Sequence, residues 1–252
     1  MKHHHPLDDP LSREASISLR TEIRHNYHES ADAAEEYILD LTFKVFGEWA
    51  PKDSNENCYE IEAGEVHLRI VRLSVAMEEE ISLTELFDYD QAMSSLSVLY
   101  DWKALNFEFS PSVLKVCDIA NSFSDIFSIE KMILHPWARR QGLGLRIIQR
   151  LLCHWQSGCS LAIIRPFLLE AEAPDSGGYD LTNLSKDKKE GTRKLIHYFS
   201  KLGFESVRNC PYLVRSIEMM PPSSTEIDLP DFLLVPSGLA EEIEKGTGVE
   251  GA

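Results

Sequence analysis

A chain of 252 residues, 43% of them hydrophobic, can bury the core of one large domain or two small ones, and its net charge of −16 argues against nucleic acid as a main partner, since phosphate backbones call for a basic face. No apolar run reaches bilayer-spanning length and Met1–Pro6 is polar without an apolar h-region, so a cytoplasmic protein with no membrane partner is expected. The five cysteines, Cys58, Cys117, Cys153, Cys159 and Cys210, are odd in number and lack zinc-site spacing, so they are expected to be reduced, mostly buried, and free of metal.

Residues 1–14 read as a disordered leader. Ile17, Leu19, Thr21 and Ile23 alternate with polar residues and predict a half-buried strand. Ser30 is placed to cap a helix from about Asp32, with Ala34, Tyr37, Ile38, Leu41 and Val45 on its apolar face. Strands are expected over Cys58–Ile61 and Val66–Ala76, with Ala63-Gly64 at a turn and a bulge or two-sided burial near Ile70-Val71. Glu78–Glu80 read as a solvated turn. Short helices follow at Leu83–Phe87 and Met93–Tyr100, then strands at Val113–Ile119 and Ile126–Leu134.

His135-Pro136 ends that last strand, because proline keeps its predecessor extended and donates no ladder hydrogen bond. A turn with Arg139, Arg140, Gly142 and Gly144 leads into a helix whose stripe is Ile147, Ile148, Leu151, Leu152 and Trp155. Strand, glycine turn and helix start together make an anion site: the first helical N–H groups lack partners and the dipole favours negative charge. From Pro136 to Trp155 there are four arginines and no Asp or Glu, so a phosphate ligand is expected, most simply a pyrophosphate. The P-loop Lys is missing, and Ile147 stands where a dinucleotide fingerprint needs its third Gly.

Leu161–Leu169 predicts an apolar strand, residues 171–190 a long polar loop, and 192–202 a helix with the stripe Leu195, Ile196, Phe199 and Leu202, capped by Gly203. Strands near Phe204–Val207 and Tyr212–Met219 complete a domain spanning 15–219, and Pro221-Pro222 opens a tail, 220–252. The order fits an α/β unit, one mixed sheet packed with helices in α+β fashion.

Arg139-Arg140-Gln141-Gly142-Leu143-Gly144, read as Arg-x-x-Gly-x-Gly after a Pro-terminated strand, resembles the acyl-CoA loop of the GNAT superfamily of N-acyltransferases. Arg193–Glu205, with its Lys-Leu-Gly-Phe ending, resembles that family's last helix and following strand. The likeness is clearest over 95–218. It implies a GNAT-like acyltransferase fold, a central mixed, mostly antiparallel sheet flanked by helices, and acetyl-CoA as co-substrate. It also implies that backbone groups of Met132, Ile133 and Leu134 pair with pantetheine, and that the turn Arg139, Arg140, Gln141, Gly142, Leu143, Gly144 and Leu145 holds pyrophosphate. Plain core strand is a compatible reading of Met132–Leu134, since only the backbone would bind.

N-acyl transfer needs a base for the amine, a site for the oxyanion and an acid for the thiolate. Glu130 matches a position where relatives carry a base, and simple alternation puts it on one face with Ser128, Met132 and Leu134. A sheet-surface Glu paired with Lys131 is the equal alternative. Glu170 is the second candidate base and Glu172 a weaker one. Relatives place a Tyr five residues before the Phe of Gly-Phe; here Phe199 holds that position and Tyr198 precedes it. One helical step turns a side chain by about 100°. Tyr198 then acts from a shifted position, or solvent supplies the proton, or the protein binds CoA without turnover. The expected activity is acetyl transfer to a primary amine; the alternative is a GNAT-fold module that binds acyl-CoA or a protein partner. Glu78, Glu79, Glu80, Asp88, Asp90, Glu170, Glu172, Asp175 and Asp180 would give the acceptor an acidic approach, which favours a cationic amine, small or on a protein.

Overall fold

The computed structural model describes residues 13–23, 33–50, 58–103, 108–117, 119, 124–155, 158–166, 188–217, 221–223 and 232–245. Its centre is an eight-stranded mixed sheet built from β1 (Arg13–Ile23), β2 (Ile38–Trp49), β3 (Tyr59–Val71), β4 (Asp125–Leu134), β5 (Cys159–Ile164), β6 (Glu205–Ser206), β7 (Leu213–Ser216) and β8 (Leu233–Val235). The spatial order is β6-β7-β5-β4-β3-β2-β1-β8. Neighbours are antiparallel except β4 and β5, which run parallel. A parallel pair needs a crossover. Here it is α5 (Leu143–Trp155), the helix of the arginine-glycine turn.

Short helices α1 (Leu73–Glu78), α2 (Leu83–Asp88), α3 (Gln91–Leu96) and α4 (Pro111–Val116) lie between β3 and β4. Their starts are legible: Ser82 accepts the Thr84 N–H at 3.2 Å, Asp90 accepts the Met93 N–H at 2.6 Å, and Pro111 opens α4. They bury Leu73, Leu86, Met93 and Val113 in one apolar cluster with Ile126, Leu161, Ile163 and Val214 of the sheet. The opposite cluster joins Leu41, Phe43, Leu68, Phe127, Ile129, Ala162 and Ile164 to α5, to α6 (Lys188–Ser200) and to α7 (Ser237–Glu244). Ile147, Ile148, Leu151 and Leu152 of α5 are fully buried there, each contributing about 1.5–3 kcal/mol of transfer free energy. Trp155 ends the helix edge-on to Phe43, ring centroids 5.3 Å apart. Among the described residues no helix is long and apolar enough to cross a membrane.

Several predicted elements differ. The helix expected from Asp32 is a 3-10 turn, Ala33–Tyr37, followed by β2. Leu41, Phe43, Val45 and Trp49 are buried and their neighbours are not, so a period of two wins once β1 and β3 supply partners. Ala63-Gly64 is not a turn: β3 runs through it with Ala63 as the extra residue opposite Val45 and Phe46, and it ends at Val71, where α1 takes over. Val113–Ile119, expected as a strand, falls in α4 up to Val116. The stretch expected as a tail contains β8, which pairs with β1, and α7, whose Ala240 is buried. At the other end, Arg13 and Glu14 of the expected leader belong to β1. All five cysteines are free thiols; Cys117 is buried, but Cys58 and Cys153 are exposed, contrary to the expected burial of most.

Candidate functional site

Where β4 and β5 part, the sheet opens. The parallel ladder runs from Asp125↔Cys159 to Ile129↔Ile164, while β4 continues to Leu134 against β3. Among the described residues, 130–134 therefore have β3 on one side and no paired strand on the other, which leaves a gap between the described parts of β4 and β5. Adjacent residues of an antiparallel strand present their peptide groups to opposite neighbours. A Cβ on Gly64 would lie 2.1 Å from the Ile133 carbonyl oxygen, so Ile133 serves β3, and Met132 and Leu134 face the gap. Of the three residues expected to pair with pantetheine, Met132 and Leu134 thus turn their peptide groups away from β3 and Ile133 turns its own toward it. The Leu134 carbonyl accepts Arg139 Nε at 2.9 Å, which leaves Met132 as the most open backbone in the gap.

A bulge sits at the same place. His67 pairs with Lys131 and Leu68 with Ile129, so Glu130 is one residue too many. An extra residue bends the strand and turns the side chains beyond it. Glu130 stays with Ser128, whose Oγ donates to Glu130 Oε1, but Met132 and Leu134 pack with the cluster that holds Ile129. The shared face expected from simple alternation is thus broken after Glu130. Tyr212, at the start of β7, feels the Glu130 carboxylate, and its hydroxyl is paired with Ser95 Oγ of α3.

The turn between β4 and α5 is held from several sides. Ala138 and Leu143 are buried anchors. Arg140 has φ 62° and Gly142 φ 72°. The left-handed region costs a non-glycine residue about 1–2 kcal/mol, so Arg140 carries strain that Gly142 avoids. Arg140 itself is exposed. The Gln141 side chain holds the turn in place: its amide donates to the Trp137 carbonyl at 2.9 Å and the Leu234 carbonyl at 3.1 Å, and its Oε1 accepts the Leu234 N–H at 2.7 Å. It thereby mimics a strand partner for β8.

Tyr198 reaches this turn. Its hydroxyl oxygen accepts the Leu145 N–H, a first-turn donor of α5, at 3.0 Å. A Cβ on Gly144 would lie 2.8 Å from that oxygen and 2.8 Å from Met132 Cε, so the missing side chain is what lets Tyr198 and Met132 meet the helix start. Burial raises the Tyr198 pKa, opposed by the Leu145 N–H. Phe199 points into the core, edge-on to Phe204 at 6.5 Å. Burial also lowers the His135 pKa beside the turn, with Glu62 opposing and Arg139 adding to the shift.

Glu130, Met132, the turn and Tyr198 are thus brought to one end of the β4–β5 gap. Glu170 and Glu172, with Asp175 and Asp180, lie outside the described residues. Asp90 is committed elsewhere: it caps α3 and pairs with Arg69 at 2.9 Å, while Asp40 clasps the same guanidinium at 2.7 and 2.9 Å. Glu79 accepts the Tyr37 hydroxyl at 2.5 Å, and Glu78, Glu80 and Asp88 remain exposed on the helical side. Sequence reasoning passed over Tyr212 and Ser95. The signal for Tyr212 was a lone Tyr at the entry of an apolar strand; Ser95 carried none. Among the described residues no group of three or more His, Cys, Asp or Glu could hold a metal ion. Comparison with protein-family models, curated proteins and solved structures finds no significant match.

Proposed function

We propose that this chain is an acyl-CoA-dependent N-acyltransferase with a GNAT-like fold, which transfers acetyl from acetyl-CoA to a primary amine. The observation that carries the reading is the parting of β4 from β5 at Ile129/Ile164, directly before a basic turn and a helix start. A pantetheine arm is a peptide-like chain and fits a strand-shaped gap; a pyrophosphate fits the helix N-terminus beside Arg140. The residues suit the ligand: Gly142 takes the left-handed turn without strain, and no Asp or Glu opposes the charge from Pro136 to Trp155.

In this reading Glu130 takes a proton from the acceptor's ammonium form and leaves a neutral amine. The nitrogen lone pair then forms the bond to the thioester carbon, the C–S bond breaks, and its electron pair leaves on sulfur. The thiolate takes a proton from Tyr198 or from water, the surplus proton on the acylated nitrogen passes to the tyrosinate or hydroxide so formed, and CoA leaves as the thiol. The Leu145 N–H that Tyr198 accepts would steady the tyrosinate left when that proton is given. Phe199, buried where relatives carry the tyrosine, favours the second reading, a module that binds acyl-CoA without turnover.

Free-thiol release from acetyl-CoA with an amine panel separates the two. Steady release supports the enzyme; tight CoA binding with no release supports the module. Bulky replacement of Gly142 and Gly144 is expected to abolish CoA binding, and a folded double variant that binds CoA like the parent overturns both. We further propose a cationic acceptor, now resting on Glu78, Glu80 and Asp88. Cationic amines should lose rate as salt rises, because surface charges are screened beyond about 10 Å at 0.1 M. A neutral best acceptor indifferent to salt rejects that choice alone.

A further inference from the structure

Three residues follow directly on the last paired positions of neighbouring strands. Ile129 pairs with Ile164 and Ile164 with Leu213, so the next positions across β4, β5 and β7 are Glu130, Arg165 and Tyr212. Tyr212 is buried, and its hydroxyl is in hydrogen-bond contact with Ser95 Oγ. The direction of that bond comes from counting protons. A serine hydroxyl has one hydrogen, and that of Ser95 goes to the Ala92 carbonyl at 2.7 Å. Tyr212 therefore donates to Ser95, and its phenol oxygen keeps lone pairs for an incoming donor. The same holds at Glu130. Ser128 donates to Oε1, which still leaves most of the carboxylate's acceptor capacity. Tyr212 packs in the cluster that holds Ile126, two positions before Ser128 on β4, and Ser128 holds Glu130 on that side.

We propose that Tyr212, oriented by Ser95, accepts one N–H of the acceptor amine and positions its nitrogen beside Glu130. The assignment rests on the acyltransferase reading. It also explains a preference by chemistry: an ammonium or amine carries several N–H donors and can satisfy both oxygens, whereas an alcohol has one and leaves an acceptor unmet.

The test uses the full chain. Spermidine and a short lysine-containing peptide are titrated by calorimetry into protein holding free CoA, and thiol release from acetyl-CoA is measured alongside. Tyr212→Phe should weaken amine binding and raise the amine KM by about tenfold, the value of one lost hydrogen bond, with CoA affinity unchanged. Ser95→Ala, which frees the phenol to rotate, should give a smaller rise of the same kind. Amine affinity within twofold of the parent in Tyr212→Phe overturns the proposal. So does an equal loss of amine and CoA affinity, the mark of a merely structural role. A parent that binds amine but releases no thiol ends the acyltransferase reading while the calorimetry still judges Tyr212. A parent that binds neither amine overturns the proposal.

Discussion

Glu130 is the residue on which the proposed chemistry turns, and its position is a product of register. An extra residue in β4 leaves it unpaired against β3, half-exposed, with Ser128 as its hydrogen-bond donor. If it is the base, Glu130→Gln should lower turnover at neutral pH by about 100-fold or more, the usual worth of a positioned general base, without changing CoA affinity. Thiol release and CoA titration measure the two separately; turnover within a few-fold of the parent would move the role to Glu170 or to water. The sequence identified Glu130 as a candidate by position and placed it rightly beside Ser128, but wrongly gave Met132 and Leu134 the same face, because nothing in the residues announced the bulge. Tyr198 and Phe199 show a related limit. Periodicity placed both on α6, and the core reading of Phe199 holds, but that the Tyr198 hydroxyl would meet Leu145 N–H depends on how α6 lies over α5.

At the scale of elements, β3 and β4 are held by an approach that a side chain would forbid. Gly64 has φ 152°, and a Cβ there would sit 2.1 Å from the Ile133 oxygen and 2.9 Å from Leu134 Cα, both backbone atoms that cannot step aside. Gly64→Ala is expected to cost more than about 2 kcal/mol, combining backbone strain with displacement of β4 at the edge of the gap. Denaturant unfolding measures it, and a variant within about 0.5 kcal/mol of the parent, the tolerance of an ordinary surface site, would show that this approach is not needed. The α2 and α3 starts were legible because Ser82 and Asp90 cap within their own turns. β2 was not. Ala34, Tyr37, Ile38, Leu41 and Val45 fit a helical stripe about as well as Leu41, Phe43 and Val45 fit alternation, and the choice belongs to β1 and β3 on either side.

Over the whole molecule, the buried thiols set an alkaline limit. Burial pushes Cys159 up to about 12, with Asp125 adding and Arg72 opposing, and pushes Cys117 up to about 11, with Glu205 adding. An unfolded thiol titrates near about 8.5. Between roughly pH 9 and 11–12 the native state therefore holds protons that the unfolded state has lost, and stability falls as pH rises. Denaturation midpoints under reducing conditions should drop from about pH 8 to about pH 10, and Cys159→Ala should flatten the slope; identical slopes would remove the thiols as its cause. The same scale holds the least foreseeable contact of the fold. Gln141, in the turn that the resemblance assigned to pyrophosphate, spends its amide on Leu234 of β8, from the stretch read as a tail.

The sequence alone determined the strand–turn–helix unit from Ile126 to Trp155, its basic character, and the alternating or helical character of β1, α2, α3, α5 and α6. Each rests on information within a few residues: a proline, a cap, a left-handed glycine or an apolar period. Only the tertiary structure decided the bulge at Glu130, the opening of β4 from β5, the strand character of β2, the Tyr212–Ser95 pair and the docking of β8 on β1. These are agreements between segments far apart in the chain. A strand's register and state are fixed by the partner it finds, and a single strand's residues do not name that partner.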